Sequence, residues 1–200
     1  MKGSLIIICF FILGSCCGYF QLLPAFVTQS SLSYYALCAL MFSVGISIGN
    51  NPQTLRNFRS LNPRLIFLPV MTILGTLAGS AVVSFLLPHR SLTDCLAVGS
   101  GFGYYSLSSI FITEYKGAEL GTVALLANIS REIVTLLAAP LLVRWFGNLA
   151  PISAGGATTM DTTLPIITQT AGQQFVIVSI FHGFVVDFSV PFLVTLFCSL

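Results

Sequence analysis

Long unbroken apolar runs, at about 4–23, 32–49, 65–87, 94–113, 118–146 and 173–198, constrain this chain more than any single residue does. Most approach the roughly 20 residues that an α-helix needs to cross the hydrocarbon core of a bilayer. Charged residues make up only 7% of the sequence against 56% hydrophobic. That is too few to cover a soluble domain, where about a quarter of residues are charged. Lipid must cover it instead. Within a bilayer every backbone amide and carbonyl needs a partner, which leaves helices or closed barrels. Barrel strands alternate apolar and polar residues, whereas these runs are continuous. The expected fold is all-α: a polytopic transmembrane helical bundle of about five or six spans, one domain over 1–200.

The joints between runs carry turn residues: Pro24, Asn50-Asn51-Pro52, Asn62-Pro63, Pro88-His89, Lys116-Gly117, Gly147-Asn148 and Ala171-Gly172. Arg56, Arg59 and Arg64 share the polar loop 50–64, which the positive-inside rule places in the cytoplasm. Lys2, two expected spans earlier, then lies on the same side. Lys2, the apolar stretch after it and Gly14-Ser15-Cys16 resemble a secretory signal. The run continues to Leu23, however, and an uncleaved first helix is expected. The six cysteines (Cys9, Cys16, Cys17, Cys38, Cys95, Cys198) have no metal-ligand spacing and read as small apolar packers. No metal or cofactor is expected. A net charge of +2, with no basic cluster among aromatics, makes no case for nucleic acid.

Two segments break the apolar pattern. In 153–165, Ser-Ala-Gly-Gly-Ala-Thr-Thr-Met-Asp-Thr-Thr-Leu-Pro, the breakers Gly155, Gly156 and Pro165 surround one carboxylate, Asp161, flanked by Thr159 and Thr162. Irregular backbone at membrane depth survives only where protein buries it or it lines a water-filled cavity. An acid there costs about 3 kcal/mol or more and marks a functional site by default. The second segment, Gly99-Ser-Gly-Phe-Gly-Tyr-Tyr-Ser106, has glycines at alternate positions. Gly99 and Gly103 satisfy a small-xxx-small packing seam. Alternatively, Gly101 and Gly103 open an unwound stretch whose backbone faces a ligand. Discontinuous helices are therefore expected near 99–106 and 150–170, although whether 94–113 crosses fully stays open. Paired breaks of this kind point to a transporter's binding site.

Other polar residues occupy apolar runs. Asn128, Arg131, Glu132 and Thr135 stand at i, i+3, i+4 and i+7, on one face of the 118–146 helix. Adjacent residues diverge by about 100°, so Arg131 and Glu132 are each expected to meet a partner on another helix. They read either as structural ties or as a charge relay or substrate contact. Asp161 also reads as a cap for a short helix carrying Pro165 in its first turn. His182 and Asp187 share the last helix, about 140° apart, and form no joint metal or acid–base site. His182 is a packing hydrogen-bonder or a proton carrier, and Asp187 a second candidate proton site. Glu114, Lys116 and Glu119 mark a solvated turn or an entrance vestibule.

Gly101-Phe-Gly-Tyr-Tyr-Ser-Leu107, Ala127-Asn-Ile-Ser-Arg-Glu132, Gly155-Gly-Ala-Thr-Thr-Met-Asp-Thr-Thr-Leu-Pro165 and His182-Gly-Phe184, in that order, resemble the lysine exporter (LysO) family of bacterial inner membranes. The likeness is dense over about 95–190, and the run around Asp161 is its most specific part. The resemblance implies export of L-lysine and toxic lysine analogues in exchange for protons. It places Asp161 at an acidic position used for transport, and Asn128, Arg131 and Glu132 in a shared helix motif. It further implies a longer full-length transporter with additional N-terminal helices. This chain then corresponds to the C-terminal portion, completed by a separate short polypeptide or by homo-oligomerisation. Two rival readings are an intramembrane enzyme acting on a peptide or lipid and a non-transporting subunit. The first needs two acids brought together or a metal cluster, and neither Gly-x-Gly-Asp nor His-Glu-x-x-His is present.

Overall fold

The computed structural model describes residues 13, 16–20 and 63–200. The chain divides into two compact units, Met1–Ser47 and Ile48–Leu200. In the first, residues 16–19 are helical. The expected helices at 4–23 and 32–49 and the basic loop 50–64 otherwise lie outside the described residues. The second unit, as described, is helical throughout, in keeping with the all-α expectation.

Helix α1 (Phe67–Leu86) is apolar except for a stripe of hydroxyls, Thr72, Thr76, Ser80 and Ser84, and carries Pro69 in its first turn, where the missing N–H costs nothing. It stops at Leu87, because a residue preceding proline (here Pro88) is biased away from helical backbone. Helix α2 (Leu92–Gly99) is capped by Ser91, whose hydroxyl accepts the Asp94 N–H at 3.1 Å. It ends where Gly99 and Gly101 weaken helix propensity. Helix α3 (Tyr105–Lys116) stops at Gly117 and α4 (Ala118–Phe146) at Gly147, each glycine at positive φ. Helix α5 (Ala150–Gly155) runs into a 3-10 turn, Gly156–Met160. Helices α6 (Leu164–Ala171) and α7 (Val176–Ser199) complete the unit. Both expected breaks are present: 100–104 divides α2 from α3, and 156–163 divides α5 from α6.

Among the described residues, three segments, Phe67–Leu86, Ala118–Phe146 and Gln173–Ser199, are long and apolar enough to cross a membrane. The two broken segments turn back instead. Lys116 Nζ, at the end of α3, lies 3.9 Å from Asp94 Oδ1 in the first turn of α2. Arg90, just before α2, pairs with Glu119 in the first turn of α4. Both ends of α2–α3 therefore lie at one end of the bundle, whereas a continuous helix of that length would part them by more than about 30 Å. Ile152 of α5 and Ile167 and Ala171 of α6 share a buried cluster with Val178, packed by Val143, Leu149 and Phe175. Those residues belong to the end of α4 and the start of α7, so α5–α6 enters and leaves at the opposite end. Two re-entrant hairpins thus point at each other between three spanning helices, an inverted arrangement common in transporters.

A cavity of about 700 Å³ lies between α1, α2 and α4. Arg90 and Asp94 line it at the ion-paired end, and Thr76, Asn128 and Arg131 line it where the hairpin tips lie.

Candidate functional site

The hairpin tips touch. The Ala157 N–H donates to the Phe102 carbonyl at 2.9 Å, joining the second hairpin to the first. Phe102 is the one non-glycine residue at positive φ among those described, at 45°. Its partner position demands glycine. Gly156 has φ 64°, and a Cβ there would collide with the Phe102 carbonyl. Gly155, Gly156, Ala157, Thr158 and Thr159 are all buried, as irregular backbone at this depth requires.

Helix α4 holds both tips from one face. Asn128 Oδ1 accepts the Gly103 N–H at 2.7 Å, and its amide nitrogen donates to the Ala124 and Val98 carbonyls at 2.9 and 3.3 Å. Arg131 reaches the other hairpin, as its expected turn away from Glu132 requires. Its Nε donates to the Ala154 carbonyl at 2.8 Å and its Nη2 to the Ser153 carbonyl at 3.0 Å. These are the open carbonyls at the C-terminus of α5, the negative end of the helix dipole. Nη1 lies 3.4 Å from Thr76 Oγ1, and the guanidinium stands 6.0 Å from the Phe102 ring centroid. Glu132 is buried within electrostatic reach of Tyr105 at the start of α3. Thr135 is buried and donates back to the Arg131 carbonyl at 2.9 Å.

His182 lies fully inside, between α1 and the second tip. Thr159 Oγ1 sits 2.8 Å from the Gly156 carbonyl and 2.9 Å from the Ser179 carbonyl, so its single proton goes to a carbonyl. His182 Nδ1, at 3.2 Å, is then the donor to that hydroxyl, and Nε2 accepts from Thr72 Oγ1 at 2.9 Å. This tautomer follows from the network. Both ring nitrogens are occupied by packing partners. A Cβ on Gly183 would come within 2.7 Å of the Met160 nitrogen, so α7 lies directly against the 3-10 turn.

Asp161 follows that turn. Gly183, the contact of its neighbour Met160, is the eighth residue of α7, about 10 Å in from that end. The carboxylate is therefore at depth, yet Asp161 and Thr162 are exposed on the surface of the unit, outside the cavity lining. Asp161 Oδ1 accepts the Thr162 N–H. The N-cap of α6 is Thr163 and no side chain caps that helix, so the carboxylate does not serve as its cap. Asp187, 5% exposed, lies one helical turn beyond Gly183. Asp161 lies within electrostatic reach of Asp187, and both acids within reach of Tyr104 of the first tip.

Asn128, Arg131 and Thr76 thus meet at the inner end of the cavity, whose lining does not include Asp161, Asp187 or Tyr104. The side chain of Thr159 belongs to the His182 network. Tyr104, Tyr105, Thr72 and Thr76 are additions to the residues singled out from sequence. The two tyrosines stood in the Gly-Phe-Gly-Tyr-Tyr motif, where only the glycines drew attention; the threonines lie more than fifty positions from their partners. Near the bundle end, Arg90 and Asp94 line the cavity, and Glu119 and Lys116 pair with them; Glu114, Lys116 and Glu119 are exposed.

A family model described as lysine exporter LysO matches residues 8–198. Lysine exporter LysO of Escherichia coli (strain K12) is 37% identical over 167 residues, 84% of this chain and 55% of that protein. A putative lysine exporter of Haemophilus influenzae is 36% identical over 165 residues, 82% of this chain and 83% of that protein. The chain spans about half the length of the first relative. No solved structure matches it significantly.

Proposed function

Since the chain belongs to the lysine exporter LysO family, we propose that it works within a multi-pass transporter of the bacterial inner membrane. That transporter exports L-lysine, and toxic lysine analogues, in exchange for protons, with Asp161 as the exchange carboxylate. Lysine carries a net positive charge at neutral pH, and a bare charge at membrane depth is costly. A carboxylate beside its path lowers that cost. A proton and an ammonium that exclude each other at Asp161 couple an inward proton flux to an outward lysine flux.

The observation that carries this reading is the contact between two re-entrant tips from opposite ends, with Asp161 four residues beyond the bond from Ala157 to Phe102. Parting one tip from the junction exposes it to one side only, as alternating access needs. Asn128 and Arg131 tie the two tips to α4. Thr159 and Thr162 flank Asp161, while Asp187, Glu132 and His182 complete the polar set. The breaks at Gly101, Gly103, Gly155 and Gly156 let backbone approach cargo. With Lys2 and loop 50–64 cytoplasmic, α5–α6 enters from the cytoplasm and α2–α3 from outside, and the cavity is the outer approach. A separate short polypeptide of N-terminal helices, or further copies of this chain, completes the wall.

The test is efflux of radiolabelled lysine from loaded membrane vesicles. Acidifying the outer medium is expected to accelerate it. Efflux indifferent to outside pH removes the proton exchange. Turnover of a membrane peptide or lipid without lysine flux favours the enzymatic reading, for which Asp161 and Asp187 are the neighbouring acids. For Glu132→Gln, an unchanged pH dependence confines Glu132 to structure.

A further inference from the structure

Asp187 is 5% exposed, and among the described residues its carboxylate has neither a hydrogen bond nor a cationic partner. Buried carboxylates are ordinarily hydrogen-bonded or paired, because an isolated charge at depth is costly. Asp161, its neighbour, is exposed. Two acids within electrostatic reach of each other, in such different surroundings, are suited to different cations. From this, and resting on the lysine-for-proton exchange above but dividing its single shared carboxylate between two acids, we infer that the two ions of the exchange occupy different acids, the lysine ammonium at Asp161 and the proton at Asp187.

The packing supports this division. Gly183 sets α7 against Met160, and Asp187 is the next residue along that face, one turn on. It therefore lies one turn from the contact with Met160, the residue before Asp161, and within electrostatic reach of Asp161 and of Tyr104 on the first hairpin. Val186 and Val190 on the same helix are fully buried, so the site is closed to solvent, which suits a proton better than a hydrated ammonium. Asp161 faces outward, where a bulky cation has access. The other titratable groups nearby are directed elsewhere. His182, on the same helix, is bonded to Thr72 and Thr159. Arg131 is bonded to the carbonyls ending α5, and Glu132, on α4, is buried within electrostatic reach of Tyr105.

The exchange then runs through repulsion between neighbouring charges. On the cytoplasmic side Asp187 releases its proton to water, and the paired negative charges draw a lysine cation to Asp161. On the outer side a proton from the medium binds a carboxylate oxygen of Asp187. One negative charge is removed and lysine leaves Asp161. One proton enters for the cation that departs, and no bond other than O–H forms or breaks. By linkage, lysine at Asp161 disfavours the proton at Asp187 to the same degree as the reverse. Tyr104, next to both acids, puts the first hairpin in a position to respond to that change.

The experiment compares two fluxes in membrane vesicles from cells expressing the full chain. One is lysine–lysine counterflow without a pH gradient; the other is net efflux driven by an acidic exterior. Asp187→Asn is expected to cut the driven efflux about tenfold or more, while counterflow persists and loses its pH dependence. Asp187→Glu is expected to restore coupling. A variant that loses both fluxes equally, although membrane-inserted and monodisperse in detergent, overturns the division, and so does one whose driven efflux is intact. Asp161→Asn is expected to lose both fluxes. Should it keep both, the exporter reading itself fails, whatever Asp187 does.

Discussion

Gly156 leaves little latitude at the tip of the second hairpin. Its backbone lies at φ 64°, and a Cβ would strike the Phe102 carbonyl that accepts the junction bond. Gly156→Ala is expected to cost about 1–3 kcal/mol from backbone strain alone, read as a lowered unfolding temperature in detergent together with reduced lysine flux. A Gly156→Ala protein as stable and active as the parent contradicts the described tip. Thr72→Val takes away the hydroxyl that meets His182 Nε2. Leaving a buried ring nitrogen without a partner is expected to cost about 1–3 kcal/mol, measurable by the same thermal assay. At this scale the sequence was informative about glycines and acids because few residue types tolerate their positions. It was silent on Thr72, Thr76 and Tyr104, whose roles come from contacts between distant segments.

The helices show a different limit. Apolar run length identified α1, α4 and α7 well, with the 118–146 helix matching its expected bounds. Length does not distinguish a span from a hairpin, however, and the run near 94–113 is long enough to cross. Its return is visible only where Asp94 meets Lys116 and Arg90 meets Glu119. The glycines at 99, 101 and 103 marked the break without revealing its direction. Asp94→Cys and Lys116→Cys are expected to label from one face of the membrane with an impermeant thiol reagent. Gly147→Cys and Gly172→Cys are expected to label from the other. Labelling of the first pair from opposite faces would rule out the hairpin. Cys95 lines the cavity beside Asp94, which supplies a native probe. With the other five cysteines replaced by serine, a cationic thiol reagent is expected to modify Cys95, and added lysine to slow the reaction. A rate indifferent to lysine counts against the cavity as part of the path.

Across the molecule, the unit Ile48–Leu200 has, among its described residues, three helices long and apolar enough to span, around two opposed hairpins, and the chain spans about half of the Escherichia coli relative. Exposed Phe67, Met71, Leu137, Phe188 and Phe192 place much of its surface against lipid or further helices. The fold class and the break around Asp161 were legible in the chain because bilayer physics permits so few alternatives. The facing of the two tips was not, since no repeat in the sequence relates them. If a companion chain or a second copy completes the wall, lysine flux is expected to rise when the companion is co-expressed or to follow the oligomer fraction. The most direct measurement compares lysine efflux into an acidic medium for the parent and for Asp161→Asn, at matched amounts of inserted protein. The account predicts rapid efflux from the parent and near-background efflux from the variant; equal rates would contradict it.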